Sequence, residues 1–204
     1  SATSTLGRMH IAPLLPKLTE RYPLLQCELI LTDQILDLVE HNIDIALRIT
    51  KQPPEEVIAK KLGALKRAIC ATPAYFQRYG IPQAPQDLSQ QRCFSYLLGD
   101  HYSWHLTDAD GLEFHIPIQN RLQFNDLNSM FEATLAGEGI AILPKYLCGT
   151  ALKQGKLHAV LTNYTPHLNF GQYIYACYAP SRVRVPKVQI FLAEVEHLFK
   201  LVLE

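Results

Sequence analysis

The sequence predicts an α/β protein built of two lobes. It has 204 residues, of which 48% are hydrophobic, enough for one large core or two small ones. Within residues 26–49, strand, helix and strand patterns follow one another, as in a βαβ unit with parallel strands. A further series of short strands and helices begins after Thr72-Pro73 and predicts the second lobe.

The first part of the chain is predicted to contain two helices and four strands. Apolar residues at helical spacing through 6–22, after the capping residues Thr3-Ser4-Thr5, predict a helix that stops before Pro23. Thr32-Asp33 forms a polar corner that caps a second helix. The other predicted elements are, in chain order, a strand at 26–31, the helix at 34–41, and strands at 43–49, 57–62 and 66–71.

The rest of the chain is predicted to alternate short strands with helices. A helix at 73–79 closes at Gly80, and Asn125-Asp126 caps another helix that Gly137 ends. The chain finishes with an amphipathic helix. The predicted elements after Gly80 are strands at 93–97, 103–106, 113–118 and 122–124, a helix at 127–136, a strand at 140–143, a helix at 146–151, strands at 157–161 and 172–178, and the last helix at 187–203.

The composition argues against several classes of protein. Lys plus Arg and Asp plus Glu number 19 each, so the net charge of +0 does not draw this chain to DNA. We find no apolar run of the roughly 20 residues that a bilayer span needs. The first residues lack the basic-then-apolar order of a signal peptide. We therefore expect a soluble, cytoplasmic protein.

The cysteines predict reduced thiols. Their odd number and the absence of CxxC spacing are typical of a cytoplasmic protein rather than of a disulfide framework. We expect small, apolar core residues at these positions. Cys70 and Cys177 fall in two strands that we place side by side, so a redox pair is an open alternative. The five cysteines are Cys27, Cys70, Cys93, Cys148 and Cys177.

Four segments carry a resemblance to a known family. They are APLLPKLTERYP at 12–23, DLVEHNIDIALRI at 37–49, ATPAYFQRYGIP at 71–82 and LAGEGIAILPKYL at 135–147. In this order, and followed by GKLHAVL at 155–161, they resemble the effector-binding domain of LysR-type transcription regulators. The resemblance covers most of the chain.

The resemblance implies a periplasmic-binding-protein-like fold of type 2, with two α/β lobes joined by two crossover strands. Lobe I is then residues 1–70 with 175–204, and lobe II is residues 71–174. A small-molecule effector would bind between the lobes, and the domain would form a homodimer or homotetramer. DNA would be bound only through an N-terminal winged helix-turn-helix that these residues lack, with RNA polymerase as a further candidate partner and no membrane.

Candidate effector-binding residues lie outside the carboxyl ends of the predicted strands, where ligands bind α/β sheets. Helix starts at these places offer free N–H groups, so a small anion is the preferred effector. The same Ser, Thr, Asp and Asn side chains also serve as ordinary helix caps without any ligand. The candidates are Ser4, Thr5, Thr32, Asp33, Arg48 and Thr50 from the first lobe, and Thr72, Phe94, Asn125 and Asp126 from the second.

Several of these candidates have a second interpretation. Asp33 and Asp126 would repel an anion unless they are engaged as caps. Arg48 pairs with the anion, satisfies Asp44 or points to solvent. Phe94 either offers its ring to the ligand or belongs to the core.

We find no motif for a cofactor, a metal or catalysis. The nearest metal pattern, His101 and His105, has helical spacing inside a predicted loop and strand. The sequence contains no GxSxG, P-loop or GxGxxG pattern, so we do not expect an enzyme. A solute-binding protein of a transport system shares the implied fold and is the alternative function. A helix-turn-helix upstream of Ser1 would favour the regulator, and a signal peptide the transporter.

Overall fold

A computed structural model describes residues 1–97, 102–119, 122–168 and 171–203. The chain divides into two compact units. Unit 1 comprises Ser1–Ala64 and Gln172–Glu204, and unit 2 comprises Leu65–Gly171. Both boundaries fall a few residues before those of the predicted lobes.

The described residues form six α-helices and eleven strands. The helices are α1 (Ser4–Leu6), α2 (Leu14–Arg21), α3 (Pro73–Tyr79), α4 (Leu127–Leu135), α5 (Lys145–Lys153) and α6 (Pro186–Val202). The strands are β1 (Ala46–Thr50), β2 (Ile58–Ala64), β3 (Arg67–Ala71), β4 (Ser95–Tyr96), β5 (Ser103–Thr107), β6 (Glu113–Pro117), β7 (Gln123–Phe124), β8 (Ala141–Pro144), β9 (His158–Val160), β10 (Thr165–His167) and β11 (Tyr173–Tyr178). Most lie within two residues of their predicted positions, but the sequence did not indicate β10.

The first helix of unit 1 is one continuous run. It passes from α1 through a π-helical turn at Gly7–Ile11 into α2, as predicted for residues 6–22. A Cβ on Gly7 would lie 2.4 Å from Leu31 Cδ2 and 2.9 Å from Ala2 Cβ. Glycine therefore lets the helix approach the extended segments beside it.

Unit 1 contains a three-stranded antiparallel sheet. Its strand order is β1-β11-β2, with Ala46 opposite Cys177 and Ile58 opposite Tyr178. Helix α6 packs on β2. Its buried stripe confirms the predicted amphipathic helix and consists of Val188, Leu192, Val195 and Phe199.

In place of the predicted parallel βαβ unit, the first residues of unit 1 form two isolated parallel bridges. Ala2 makes isolated parallel bridges to Leu31 on one side and to Leu47 on the other. The backbone N–H of Ala2 donates to Ile30 O at 3.0 Å, and its carbonyl accepts from Thr32 N–H at 3.0 Å. The predicted strand at 26–31 is therefore wrong for most of its length, since only Leu31 forms a bridge.

The predicted helix at 34–41 is also wrong. Residues 38–42 form a turn instead, which the Asp37 carboxylate supports by accepting from the N–H groups of Val39 at 2.8 Å and Glu40 at 2.7 Å. Two members of the predicted apolar stripe, Ile35 and Val39, are 81% and 80% exposed. The other two, Leu36 and Leu38, pack against a core cluster of unit 1, so the four residues do not share the single buried face that normally stabilises a helix.

Unit 2 is organised around β3, which is buried along its whole length. It lies between β8 and β9 in an antiparallel sheet. Ile69 and Ala71 belong to one core cluster, whereas Ala68 and Cys70 belong to another. Alternate side chains of the strand thus serve two cores. A second antiparallel sheet, β10-β5-β6, and the parallel pair β4-β7 complete the unit.

The cysteines mostly match the prediction of core thiols. All five are free, and all except Cys27 are buried. A hydrogen bond with the Cys148 thiol, together with burial, raises the pKa of Cys70. Cys70 therefore has a neighbouring thiol within unit 2, whereas its predicted partner Cys177 lies on β11 of unit 1. None of the helices in the described ranges has the length and apolar character of a membrane span.

Candidate functional site

The first helix of unit 1 begins where three extended segments end beside one another. The backbone N–H of Ser4 donates to Asp33 Oδ1 at 3.1 Å. Thr3 occupies the N-cap position, but its side chain makes no capping hydrogen bond. The predicted local cap is therefore wrong, because a carboxylate from a distant part of the chain binds this helix start instead.

Arg48 lies beside this helix start, in the middle of β1. Its Nη2 donates to Ser1 Oγ at 3.0 Å, and its Nη1 donates to the Thr32 carbonyl at 3.3 Å. Burial lowers the pKa of the Arg48 guanidinium, and Cys177 and Asp33 oppose this effect. The guanidinium is thus held by neutral oxygens, with one carboxylate nearby.

The alternative role of Arg48, as a partner of Asp44, is not what the structure shows. Asp44 pairs instead with Arg182 at 3.2 Å and with Lys187 at 2.5 Å. Ser1 was not among the predicted site residues. It precedes Ala2, which forms an isolated parallel bridge to Leu47 of β1 and so brings Ser1 close to Arg48.

A polar cluster at the start of α1, which we call the helix-start cluster, comprises Ser1, Ser4, Thr32, Asp33 and Arg48. Thr5 is only 3% exposed, so it lies in the interior of unit 1. Thr50 forms a local turn in which its hydroxyl donates to Gln52 O at 3.0 Å and accepts from Gln52 N–H at 3.2 Å. The Thr32 hydroxyl similarly accepts from Gln34 N–H at 3.1 Å, although its carbonyl belongs to the cluster.

The candidates of unit 2 lie at two separate helix starts and in the core. Thr72 Oγ1 accepts from Tyr75 N–H at 3.2 Å and caps α3. Asp126 Oδ2 accepts from both N–H and Oγ of Ser129 at 2.8 Å and caps α4, as predicted. Asn125, beside it, is exposed. These positions act as caps, which is the interpretation that requires no ligand.

Phe94 is a core residue. It is 3% exposed, and its ring packs edge-on against Phe124 with centroids 5.5 Å apart. A Cβ on Gly139 would lie 2.8 Å from the Phe94 ring and 2.6 Å from the Arg92 carbonyl oxygen. The ring is therefore enclosed by backbone as well as by side chains.

Of the predicted site residues, the structure brings four into the helix-start cluster of unit 1, where Ser1 joins them. They are Ser4, Thr32, Asp33 and Arg48. The cluster carries one cation, one carboxylate and the N-terminal end of a helix, so it suits a small polar ligand. Within the described ranges, no three His, Cys, Asp or Glu side chains are grouped so that they could hold a metal ion. His101 of the rejected metal pattern lies outside the described residues.

Comparison with known sequences gives a consistent set of relatives. Residues 1–200 match the family model of the LysR substrate binding domain. The chain is 31% identical over 195 residues to an HTH-type transcriptional regulator of Xanthomonas campestris pv. campestris (strain 8004), covering 92% of this chain and 55% of the relative. It is 33% identical over 186 residues to the HTH-type transcriptional activator TtdR of Escherichia coli (strain K12), covering 90% and 58%. The chain thus spans a little over half the length of these relatives.

Solved structures show the same fold. The full-length virulence activator AphB of Vibrio cholerae superposes with a TM-score of 0.82 at 26% identity, covering 96% of this chain and 66% of that one. The regulatory domain of CrgA from Neisseria meningitidis superposes with a TM-score of 0.82 at 24% identity, covering 97% and 96%. Both are described as members of the LysR-type regulators.

Proposed function

The chain belongs to the LysR substrate-binding domain family, and from this premise we propose that its helix-start cluster binds a small organic anion. Its function is that of the effector-binding domain of a LysR-type regulator, with the periplasmic-binding-protein-like fold of type 2 that the family has. Its relatives are transcription regulators, so a transport function is not favoured, and none of their names describes an enzyme.

The contacts of Arg48 carry the proposal of an anion. Its guanidinium is partly buried and donates to Ser1 Oγ and Thr32 O, both neutral oxygens. In the described part of the chain, it has no carboxylate within ion-pair distance. A buried cation that lacks a direct counter-ion gains from an incoming carboxylate, which forms shorter and stronger hydrogen bonds than a neutral acceptor does.

Asp33 sets a limit on this anion site. Its Oδ1 accepts the N–H of Ser4, so part of its charge is directed at the helix amide. The remaining negative charge near Arg48 weakens the attraction for an effector anion. We therefore expect moderate affinity for simple carboxylates, with Arg48 as the residue on which binding depends.

A thermal-shift series tests the proposal. The purified chain is heated with small aliphatic and aromatic carboxylates and with the corresponding neutral amides. We expect at least one carboxylate to raise the melting temperature of the wild type, and Arg48→Gln to remove most of that shift. Arg21→Gln is the matched control, because Arg21 is an exposed arginine that pairs with Glu194 at 3.0 Å on the surface. An equal shift in Arg48→Gln and wild type would exclude the cluster.

For the whole regulator, we propose that effector binding alters DNA binding through an N-terminal domain. The effector acts only through its different affinity for two states of the protein, which a homodimer or homotetramer transmits. The names of the relatives, HTH-type regulators and activators, support this proposal. A cytoplasmic location and contact with RNA polymerase are further parts of it. Footprinting of the full-length protein, with and without the stabilising carboxylate, tests it.

A further inference from the structure

Three histidines of unit 2 lie in one row across the sheet β10-β5-β6. The strand register places His105 opposite His115 on β6 and opposite His167 on β10. Neighbouring residues of β5, Trp104 and Leu106, are buried in the core. Since side chains alternate along a strand, the histidines share the opposite face of the sheet. Three of the eight histidines of the chain thus meet in one row.

His105 and His115 are the closest pair in this row. Their ring centroids are 4.3 Å apart, with the ring planes at 79°. Ile118 N–H donates to Tyr102 O and Asp108 N–H donates to Leu112 O. Tyr102–Ile118 and Asp108–Leu112, at the two ends of the β5–β6 pairing, are therefore hydrogen-bonded pairs. By alternation, the two histidines form a non-hydrogen-bonded pair, in which opposite side chains lie closest.

Hydroxyl groups on the same face hold two of the rings. Ser103 Oγ lies 3.1 Å from His105 Nε2, and Thr107 Oγ1 lies 2.7 Å from His167 Nε2. Hydrogen bonds of this kind orient the imidazole ligands of metal sites through the ring nitrogen that does not bind the metal. The row therefore contains both metal-ligating groups and groups that can orient them.

We propose that His105 and His115 bind a divalent transition metal of the Zn²⁺, Ni²⁺ or Cu²⁺ type. Imidazole is a preferred ligand of these ions. Since the described part of the chain groups no three such side chains, the protein supplies two imidazoles and solvent completes the coordination. The exposed Glu113 carboxylate lies 3.7 Å from His115 Nε2, and rotation of its side chain would bring it in as a third ligand.

Space for solvent ligands is present on the His115 side of the pair. A depression of about 450 Å³ beside β6 is lined by Glu113 and His115 and also by Gln86 and Ser89, but not by His105. The His115 side chain is 61% exposed, so an ion reaches it from solvent. The site lies wholly in unit 2 and shares no residue with the helix-start cluster.

Titration calorimetry on the untagged, EDTA-treated chain tests the proposal with Zn²⁺, Ni²⁺ and Cu²⁺ used one at a time. We expect one equivalent of each ion to bind, and Mg²⁺, which prefers oxygen ligands, not to bind. His105→Gln and His115→Gln should each weaken binding by at least about tenfold, because each change removes one of the two imidazole ligands. Glu113→Gln should weaken it less.

His158→Gln is the matched control, because His158 is an exposed strand histidine of the same unit outside the row. It should bind metal like the wild type. Circular dichroism of each metal-free variant establishes that it folds, and nitrogen coupling in the Cu²⁺ electron paramagnetic resonance spectrum reports imidazole ligation independently of affinity. Absence of binding, equal affinity in all variants, or loss only in His158→Gln would overturn the proposal.

Discussion

The two units hold the starts of their helices in different ways. In unit 2, Asp126 caps α4 from three residues before Ser129, whose N–H it accepts at 2.8 Å. In unit 1, the carboxylate at the start of α1 is Asp33, which lies 29 residues after Ser4 along the chain. A local cap forms with its own helix, whereas a distant cap forms only when the extended segments of unit 1 have come together.

This difference separates a stabilising carboxylate from one that also acts on a binding site. Asp126 contacts its own helix start and the Ser129 hydroxyl. Asp33 contacts the start of α1 and also lies close enough to influence Arg48. Changes at Asp126 should therefore affect folding alone, and changes at Asp33 should affect both folding and ligand binding.

The largest expected effect comes from the glycines that allow close packing in each unit. A Cβ on Gly139 would lie 2.6 Å from the Arg92 carbonyl oxygen, which is backbone and cannot rotate away. The Cβ on Gly7 would meet the flexible end of Leu31 at 2.4 Å and Ala2 Cβ at 2.9 Å, whereas the backbone carbon of Ala2 is 3.9 Å away. We expect Gly139→Ala to lower the free energy of unfolding by about 3 kcal/mol. Gly7→Ala should lower it by about 1 kcal/mol, because Gly7 lies in a helix, where the better helix propensity of alanine offsets part of the cost of overpacking. Urea denaturation measures both, and equal losses would contradict the distinction.

The capping carboxylates give the next effect. Asp33→Ala and Asp126→Ala should each lower the free energy of unfolding by about 1 kcal/mol, the usual cost of a lost cap. Only Asp33→Ala should strengthen the response to a carboxylate, because it removes negative charge near Arg48. Thermal shifts with a fixed carboxylate measure this response.

Asp33→Asn separates charge from capping, since the amide oxygen still accepts a hydrogen bond. It should retain most of the stability and still respond more strongly to the anion. If Asp126→Ala changed the anion response as much as Asp33→Ala does, the comparison between the two caps would fail.

The same contrast between local and distant contacts explains what the sequence could predict. Helix α3 begins and ends at its predicted residues, because Thr72 caps it and Gly80 follows it directly. The helix predicted at 34–41 failed because Leu36 and Leu38 of its apolar stripe pack on the core of unit 1 whereas Ile35 and Val39 are exposed, an arrangement that depends on the rest of the unit. Local capping and turn signals lie within a few residues of their targets, whereas burial depends on distant segments.

The candidate site follows the same rule. The position of Asp126 as a cap was readable from its neighbours, and so was the capping role of Thr72. The Asp33 contact with Ser4 and the Ser1 contact with Arg48 join residues 29 and 47 positions apart. The sequence placed Ser4, Asp33 and Arg48 at strand ends, but the pairing among them required the folded unit.

The smallest expected effect concerns acid stability, and it compares two exposed carboxylates. Hydrogen bonds from the N–H groups of Glu40 and Val39 lower the pKa of Asp37 in unit 1. Those of Ala84 and Gln83 lower the pKa of Asp87 in unit 2. A carboxyl group whose pKa is lower in the folded than in the unfolded state stabilises the fold above its unfolded pKa, and this contribution is lost as pH falls through the folded value.

Replacing either carboxylate by asparagine should therefore lower stability slightly at neutral pH and flatten the loss of stability below about pH 4, the ordinary Asp range. Melting temperatures of Asp37→Asn and Asp87→Asn from pH 7 to pH 3 measure this. Asp87 holds the N–H groups that precede the 3-10 helix Pro85–Gln90, whose Leu88 is fully buried in the core of unit 2. Asp37 supports a turn whose residues 39–42 are exposed. The Asp87 variant should show the larger change, because the segment that Asp87 supports includes the fully buried Leu88, whereas Leu38 in the Asp37 turn is only partly buried. A larger change in Asp37→Asn would reverse that ranking.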